Sequence, residues 1–372
     1  MNATDTLPNK TVAAPATAPA ITPDRDLAIA MRGVTKIFGD DPQNALSLLQ
    51  SGRSKSEVQA ETNHVVGLDN VSLDIAKGQI FVVMGLSGSG KSTLIRHVNR
   101  LIEPTAGEII VNGKDVLKMS LDELRTYRRT QVAMVFQKFG LMPHRSVIDN
   151  VAYGLEVRGV DTKTRLREAA KWIEIVGLSG YEQSQPRQLS GGQQQRVGLA
   201  RALAMDTDII LMDEAFSALD PLIRSGMQDQ LIELQKSLGK TILFITHDFD
   251  EALKIGDRIA VLKDGALQQE GKPEDIVLRP ANEHIEEFVR EVNKARAIHV
   301  RSIMDRGEFD PCEASVSKDS RCEDVLPMFA EHQWVGVLDA DGHQIGRITL
   351  KQVIKALARY TPQPAETPPT LG

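Results

Sequence analysis

Gly85-Leu86-Ser87-Gly88-Ser89-Gly90-Lys91-Ser92-Thr93 decides how this 372-residue chain is read. The stretch fits G-x-x-x-x-G-K-[ST], the pattern of a loop that cradles phosphate. Its glycines permit a turn tight enough to aim backbone N–H groups at an anion. Lys91 is then placed to reach β- and γ-phosphate oxygens, and the Ser92 hydroxyl to ligate Mg²⁺. The pattern also arises by chance in loops, so its flanks matter. Ile80 to Met84 is wholly apolar and reads as a buried parallel strand. Thr93 to Val98 reads as a helix whose N-terminus faces the anion.

Further strands and turns lie on either side. Ile209 to Met212 is an apolar run that delivers Asp213 and Glu214 at its end. A carboxylate there suits Mg²⁺, and its neighbour suits a general base or water-positioner. Val132 to Phe136 terminates at Gln137, and Thr241 to Thr246 delivers His247. Leu189-Ser190-Gly191-Gly192-Gln193 is a small-residue turn opening a helix, and Asp220-Pro221 reads as the N-cap and first residue of another. Alternating strands and helices with functional residues at strand ends describe a parallel, doubly wound α/β sheet. Taken singly, Gln137 reads equally as a polar strand end and His247 as a capped surface histidine.

The remaining segments frame this core. Residues 1–26, rich in Ala, Thr and Pro, read as a disordered tail, as do residues 361–372. Leu27 to Val34 begins the order as a strand. Phe38 follows, either stacking on adenine or packing as a core residue. Residues 42–63 look inserted, with helical spacing from Pro42 to Leu49 and a short turn from Lys55 to Ala60. Val65 to Ile75 then alternates as a half-exposed antiparallel strand. Gly107 to Gly113 is a strand closed by an Asn-Gly turn. Residues of about 138–188 turn charged and helix-forming, which suggests a helical subdomain.

Composition excludes several classes. A net charge of −6 argues against a general nucleic-acid binder. Cys312 and Cys322 build no disulfide framework and match no zinc spacing, which suits a reducing cytoplasm. No apolar run approaches the roughly 18 residues that span a bilayer, so a membrane role runs through a partner.

In order, Gln137, Leu189 to Gln193, Asp213-Glu214, Ser217-Ala218-Leu219-Asp220 and His247 resemble the motif set of ABC-type ATPase domains. The resemblance covers residues 27 to about 290 and implies ATP and Mg²⁺ as ligands. It also implies a phosphate-loop fold with a parallel-sheet core, an antiparallel β subdomain and the helical subdomain. Two copies would pair head to tail around ATP. Gly85, Ser87, Gly88, Ser89, Gly90, Lys91, Ser92 and Thr93 would serve one copy's side of the site. Ser190, Gly191, Gly192 and Gln193 would come from the other, and Asp220 would also contact the nucleotide. Glu214 would activate water, His247 would hold the γ-phosphate, and Ser92, Gln137 and Asp213 would hold the metal.

The inserted segment, Met84 to Lys91, Asn99 to Thr105, and Phe136 with Pro143-His144-Arg145 resemble quaternary-amine importers in particular. That implies an ATP-hydrolysing subunit on the cytoplasmic face of the membrane. Its partners would be a transmembrane permease and a periplasmic or surface solute-binding protein for glycine betaine, proline betaine or choline. The alternatives are an importer for another solute, such as an amino acid, and a non-transport ABC ATPase.

Residues 298–360 read as a separate unit, after the ATPase domain of residues 27–297. A capped helix from Ser317 to Phe329, strands at Trp334–Leu338 and Gln344–Thr349 and a helix at Leu350–Leu357 resemble one cystathionine-β-synthase (CBS) repeat. Such repeats usually come in pairs, and only one is visible. The family's ribose-contacting Asp, three residues after Thr349, is Gln352 here. A regulatory module and a packing module are both open. Arg290, Lys294, Arg296, Arg301 and Arg306 precede or open the unit and suggest either a solvated, extended linker or contact with anionic lipid.

Overall fold

Five apolar residues in succession leave a strand no polar face, and Ile80–Met84 is accordingly buried on both sides within a six-stranded sheet. The computed structural model describes residues 26–358 apart from Lys138, Ala218, Glu291 and Glu308. The two expected tails, Asp26 excepted, lie outside the described residues.

The ordered chain opens on β1 (Leu27–Phe38), passes through α1 (Pro42–Gln50) and α2 (Lys55–Thr62), and returns antiparallel as β2 (Val65–Ala76). The inserted segment is therefore two short helices with a small core at Ile37, Ala45 and Val58. α2 begins at a capping box, where Ser54 and Glu57 each satisfy the other's backbone amide. It stops at Asn63, in the left-handed conformation that ends helices.

β3 (Ile80–Met84) runs through the phosphate loop into α3 (Lys91–Val98). β4 (Ala106–Val111) pairs with β1 and turns into β5 (Lys114–Asp115) through Asn112 and Gly113. Both turn residues have positive φ, 47° and 76°, as a type I′ hairpin requires. α4 (Leu121–Thr130) and β6 (Val132–Val135) follow, the strand ending one residue before Phe136. α5 (Val147–Val157), α6 (Thr162–Ile175) and α7 (Gly191–Ala204) pack on one another, so the helix opened by Ser190 shares their layer.

The remaining core elements are β7 (Ile209–Asp213), α8 (Pro221–Leu238), β8 (Thr241–Thr246), α9 (Phe249–Ile255), β9 (Arg258–Lys263) and β10 (Ala266–Gly271). The large sheet has the order β10-β9-β3-β8-β7-β6, parallel from β9 to β6, with β10 antiparallel at one edge. The second sheet, β2-β1-β4-β5, is antiparallel throughout. Period-two alternation divides the buried strands between two cores. Phe81, Val83, Leu211 and Leu243 face the antiparallel sheet, while Val82, Met84, Met212 and Phe244 face the helices.

α10 (Pro273–Leu278), α11 (Glu283–Arg290) and α12 (Lys294–Ala297) lead to the carboxyl-terminal unit. This comprises β11 (Asp305–Arg306), β12 (Ser315–Ser317), α13 (Cys322–Val325), β13 (Trp334–Leu338), β14 (Gln344–Thr349) and α14 (Leu350–Leu357). Its sheet order is β11-β14-β13-β12, with β12 parallel to β13. One expectation fails here. Ser317 ends a strand instead of opening a helix, and α13 begins only at Cys322. From Leu326 to Ala330 the chain winds as a 3₁₀ helix, because Pro327 brings no N–H to an α-helical ladder.

Candidate active site

The phosphate loop is shaped by positions where no side chain fits. Gly90, at the N-cap of α3, has φ 92°, and a Cβ there would lie 2.5 Å from the Gly67 carbonyl oxygen. Gly85, with φ 151°, would drive a Cβ into the Leu262 carbonyl. Lys91 is buried and straps the loop, its Nζ donating to the Gly85 and Leu86 carbonyls at 2.7 and 2.8 Å. Burial lowers its pKa, opposed by the Glu214 and Asp213 carboxylates.

Ser92 is one turn above Arg96 on the same face of α3, and both reach Asp213. The Ser92 hydroxyl donates to Oδ1 at 2.8 Å, and the Arg96 guanidinium lies 3.3 Å from Oδ2. Asp213 itself is fully buried. A hydroxyl beside a carboxylate is a pair of hard oxygen donors and fits Mg²⁺. Gln137 spends its amide N–H on Glu214, so its oxygen is the atom left for a cation.

Strand ends bring together the next three residues. Gln137 follows β6, Glu214 follows β7 and His247 follows β8, neighbouring parallel strands of the large sheet. Gln137 Nε2 donates to Glu214 Oε2 at 2.7 Å, and His247 Nδ1 lies 3.5 Å from the same oxygen. The three therefore converge on one carboxylate. Glu214 adopts φ 48°, an uncommon conformation for a residue with a Cβ, held by its N–H donating to the Ile245 carbonyl at 3.0 Å. That turn takes its side chain off the strand direction of Asp213. One carboxylate thus faces α3 while the next faces Gln137 and His247.

Ser190 caps α7 in a reciprocal box: its hydroxyl accepts from the Gln193 N–H at 3.3 Å, and its N–H donates to Gln193 Oε1 at 2.9 Å. Ser190 and Gly191 are exposed. Among the described residues, no hydrogen bond or ion pair joins this turn to Lys91, Ser92, Asp213 or Glu214. Asp220 is likewise exposed and caps α8, accepting from the Ile223 N–H at 3.1 Å. Phe38 is 40% exposed at the end of β1 and leans on Gly67, whose carbonyl abuts Gly90. Sequence reasoning passed over Arg96, although its i+4 spacing from Ser92 places both on one helical face. Arg224 and Asp248, described below, carried no such signal.

Comparison with known proteins shows the family. The family described as ABC transporter matches residues 68–217. The glycine betaine transport ATP-binding protein OpuAA of Bacillus subtilis is 52% identical over 285 residues, which are 77% of this chain and 68% of that one. The chain belongs to the ATP-binding proteins of ABC transporters. The trimethylamine N-oxide transport system ATP-binding protein TmoW of Ruegeria pomeroyi is 50% identical over 84% of this chain and 95% of its own. Among solved structures, a dimeric ATP-binding cassette in a post-hydrolysis state, bound to ADP and Pi, is similar at 33% identity and TM-score 0.57. That likeness covers 66% of this chain and 98% of that one. As an ABC ATPase the chain binds ATP and hydrolyses it.

Proposed function

We propose that this ABC ATPase hydrolyses ATP to drive import of glycine betaine, proline betaine, choline or a related osmolyte through a separate membrane permease. One observation carries the chemistry: Gln137, Glu214 and His247 meet at a single carboxylate oxygen beside the Lys91–Ser92–Asp213 cluster. In that arrangement Glu214 takes the proton of the attacking water, while Gln137 and His247 fix its carboxylate. Lys91 and the loop amides from Ser87 to Thr93 hold the phosphates. Bound between Ser92 and Asp213, Mg²⁺ would supply positive charge to phosphate oxygens. The Ser190–Gln193 turn, exposed at Ser190 and Gly191, and Asp220 serve the site of a second copy, since neither hydrogen-bonds to the phosphate loop of its own. Phe38 is placed to stack on adenine.

The solute class rests on the named relatives, for glycine betaine and for trimethylamine N-oxide share a trimethylated nitrogen. Second partners are a solute-binding protein and the permease, which places the chain on the cytoplasmic face. Among the described residues no helix is long and apolar enough to cross a membrane. The run β12-α13-β13-β14-α14 within the carboxyl-terminal unit supports the CBS-like reading. The test is ATP hydrolysis by the complete reconstituted transporter against betaines, choline, trimethylamine N-oxide, proline and other amino acids. Stimulation confined to the betaines, choline and trimethylamine N-oxide is the expected result. Stimulation by amino acids alone would replace the solute assignment.

A further inference from the structure

Two loops that flank the catalytic carboxylate are tied together by a residue with no assigned role. Arg224 sits one turn into α8, four residues after Asp220. One of its guanidinium nitrogens donates to the Leu219 carbonyl at 3.0 Å and the other to the Asp248 carboxylate at 3.2 Å. Leu219 immediately precedes Asp220, and Asp248 immediately follows His247. A single planar group therefore spans the two loops. It is about 29% exposed, so water only partly screens it.

The link is reinforced along both helices. The other Asp248 oxygen caps α9, accepting from the Glu251 N–H at 3.0 Å, and the Asp248 N–H donates to the Thr246 hydroxyl at 3.0 Å. Deeper in, Gln228 of α8 donates to the buried Glu251 of α9 at 3.0 Å. Burial raises the Glu251 pKa, against hydrogen bonds from Thr246 and Gln228. Further along, Lys254 donates to the Ser225 hydroxyl at 2.9 Å and pairs with Asp229 at 2.8 Å. α8 and α9 are thus stitched by three successive polar ties, with Asp220 at the start of one helix and His247 just before the other.

We propose that Arg224 is a positioning residue for ATP hydrolysis, coupling the loop that ends at Asp220 to the loop that carries His247 so that they reach the nucleotide as one unit. This rests on the ATPase reading given above. Under it Asp220 faces the partner copy and His247 faces the γ-phosphate, so docking of the partner is passed directly to His247. Misplacement of a reacting group by ~1 Å can cost on the order of 10² in rate, so a lost tie acts on turnover. Arg224 makes none of the contacts of the phosphate loop, so nucleotide affinity does not depend on it. A lysine retains the charge but cannot span two acceptors with a planar fork.

The experiment compares full-length wild type with Arg224→Gln, Arg224→Lys, Asp248→Asn and the Arg224→Gln/Asp248→Asn pair, beside Glu214→Gln. Steady-state ATPase kinetics are paired with equilibrium MgATP binding at concentrations too low for dimerisation, and with thermal melts. Arg224→Gln is expected to lower kcat about tenfold or more while KM and MgATP affinity stay within about twofold. Arg224→Lys is expected to fall between, and the double variant to be no slower than the worse single one. A kcat within twofold of wild type, beside an inactive Glu214→Gln, overturns this inference alone. So does a parallel loss of kcat and MgATP affinity, or full additivity of the pair. If Arg224→Gln does not fold, Asp248→Asn and Arg224→Lys decide by the same criteria. A wild type no faster than Glu214→Gln removes the ATPase reading and this proposal with it.

Discussion

Glu214 and Asp213 are adjacent in sequence yet have different surroundings, and that difference suits the separate roles proposed for them. Asp213 is buried against Ser92 and Arg96, where its charge is committed. Glu214 turns away at φ 48° into the company of Gln137 and His247, where it can accept a proton from water. Glu214→Gln is therefore expected to bind MgATP with near-normal affinity while losing hydrolysis by a factor of about 10² or more. Lys91→Ala, which removes the strap across the loop, is expected instead to weaken nucleotide binding itself. Binding isotherms alongside single-turnover rates separate the two, and hydrolysis by Glu214→Gln at the wild-type rate would refute its role as base. That these residues sit at strand and loop ends was legible from spacing, since each ends an apolar run or a glycine loop. Which carboxylate faces which neighbour was not, because it depends on one backbone torsion.

At the scale of elements, α7 shows how a short sequence motif exposes a helix N-terminus. Its first turn presents amides that no residue of the chain's own phosphate loop uses, and Ser190 and Gly191 are open to solvent. Ser190→Arg is expected to leave the MgATP affinity of the monomer within about twofold but to abolish ATP-dependent dimerisation and turnover. Size-exclusion chromatography with and without ATP, in the Glu214→Gln background, checks this. Equal loss of monomer affinity would place Ser190 in its own chain's pocket. Helix starts such as Ser190 and Asp220 were readable because capping is a local hydrogen-bond requirement. The helix expected from Ser317 was misread because residues 315–317 satisfy their backbone groups by pairing with β13, a partner distant in sequence.

At the scale of the whole molecule, the carboxyl-terminal unit is joined to the ATPase by ion pairs. Glu274 of α10 is buried between His299 at 3.5 Å and Arg301 at 3.3 Å, and Arg301 also pairs with Asp319. Arg296 pairs with Glu323 at 3.0 Å. Two of the five cations that suggested a lipid-facing cluster are thus engaged within the chain. Burial alone would push the Glu274 carboxyl up, but the His299 imidazole, its own backbone N–H and Arg301 hold it down to about 2. A depressed carboxylate pKa contributes stability above the unfolded value near 4.5, and that contribution is lost as pH falls through about 2. Glu274→Gln is expected to destabilise the chain at pH 7 by on the order of 2 kcal/mol. The gap from wild type is expected to narrow steadily below pH 4.5. Urea melts across that range check it, and a gap constant with pH would exclude the ion pairs as its cause.

The sequence by itself determined the nucleotide chemistry of this protein. A phosphate loop, a helix cap and a strand-end carboxylate each answer to requirements satisfied within about ten neighbouring residues, so their residue types and spacing are legible without coordinates. The tertiary structure alone decided that Gln137, Glu214 and His247 share one oxygen and that Arg224 joins the Asp220 and His247 loops. It also decided that Glu274 of α10 meets His299 and Arg301 of the carboxyl-terminal unit. Each of these contacts depends on the lateral order of strands or on the packing of one helix against another. Those arrangements are set by crossover connections and by burial of shared apolar faces, which no local pattern encodes.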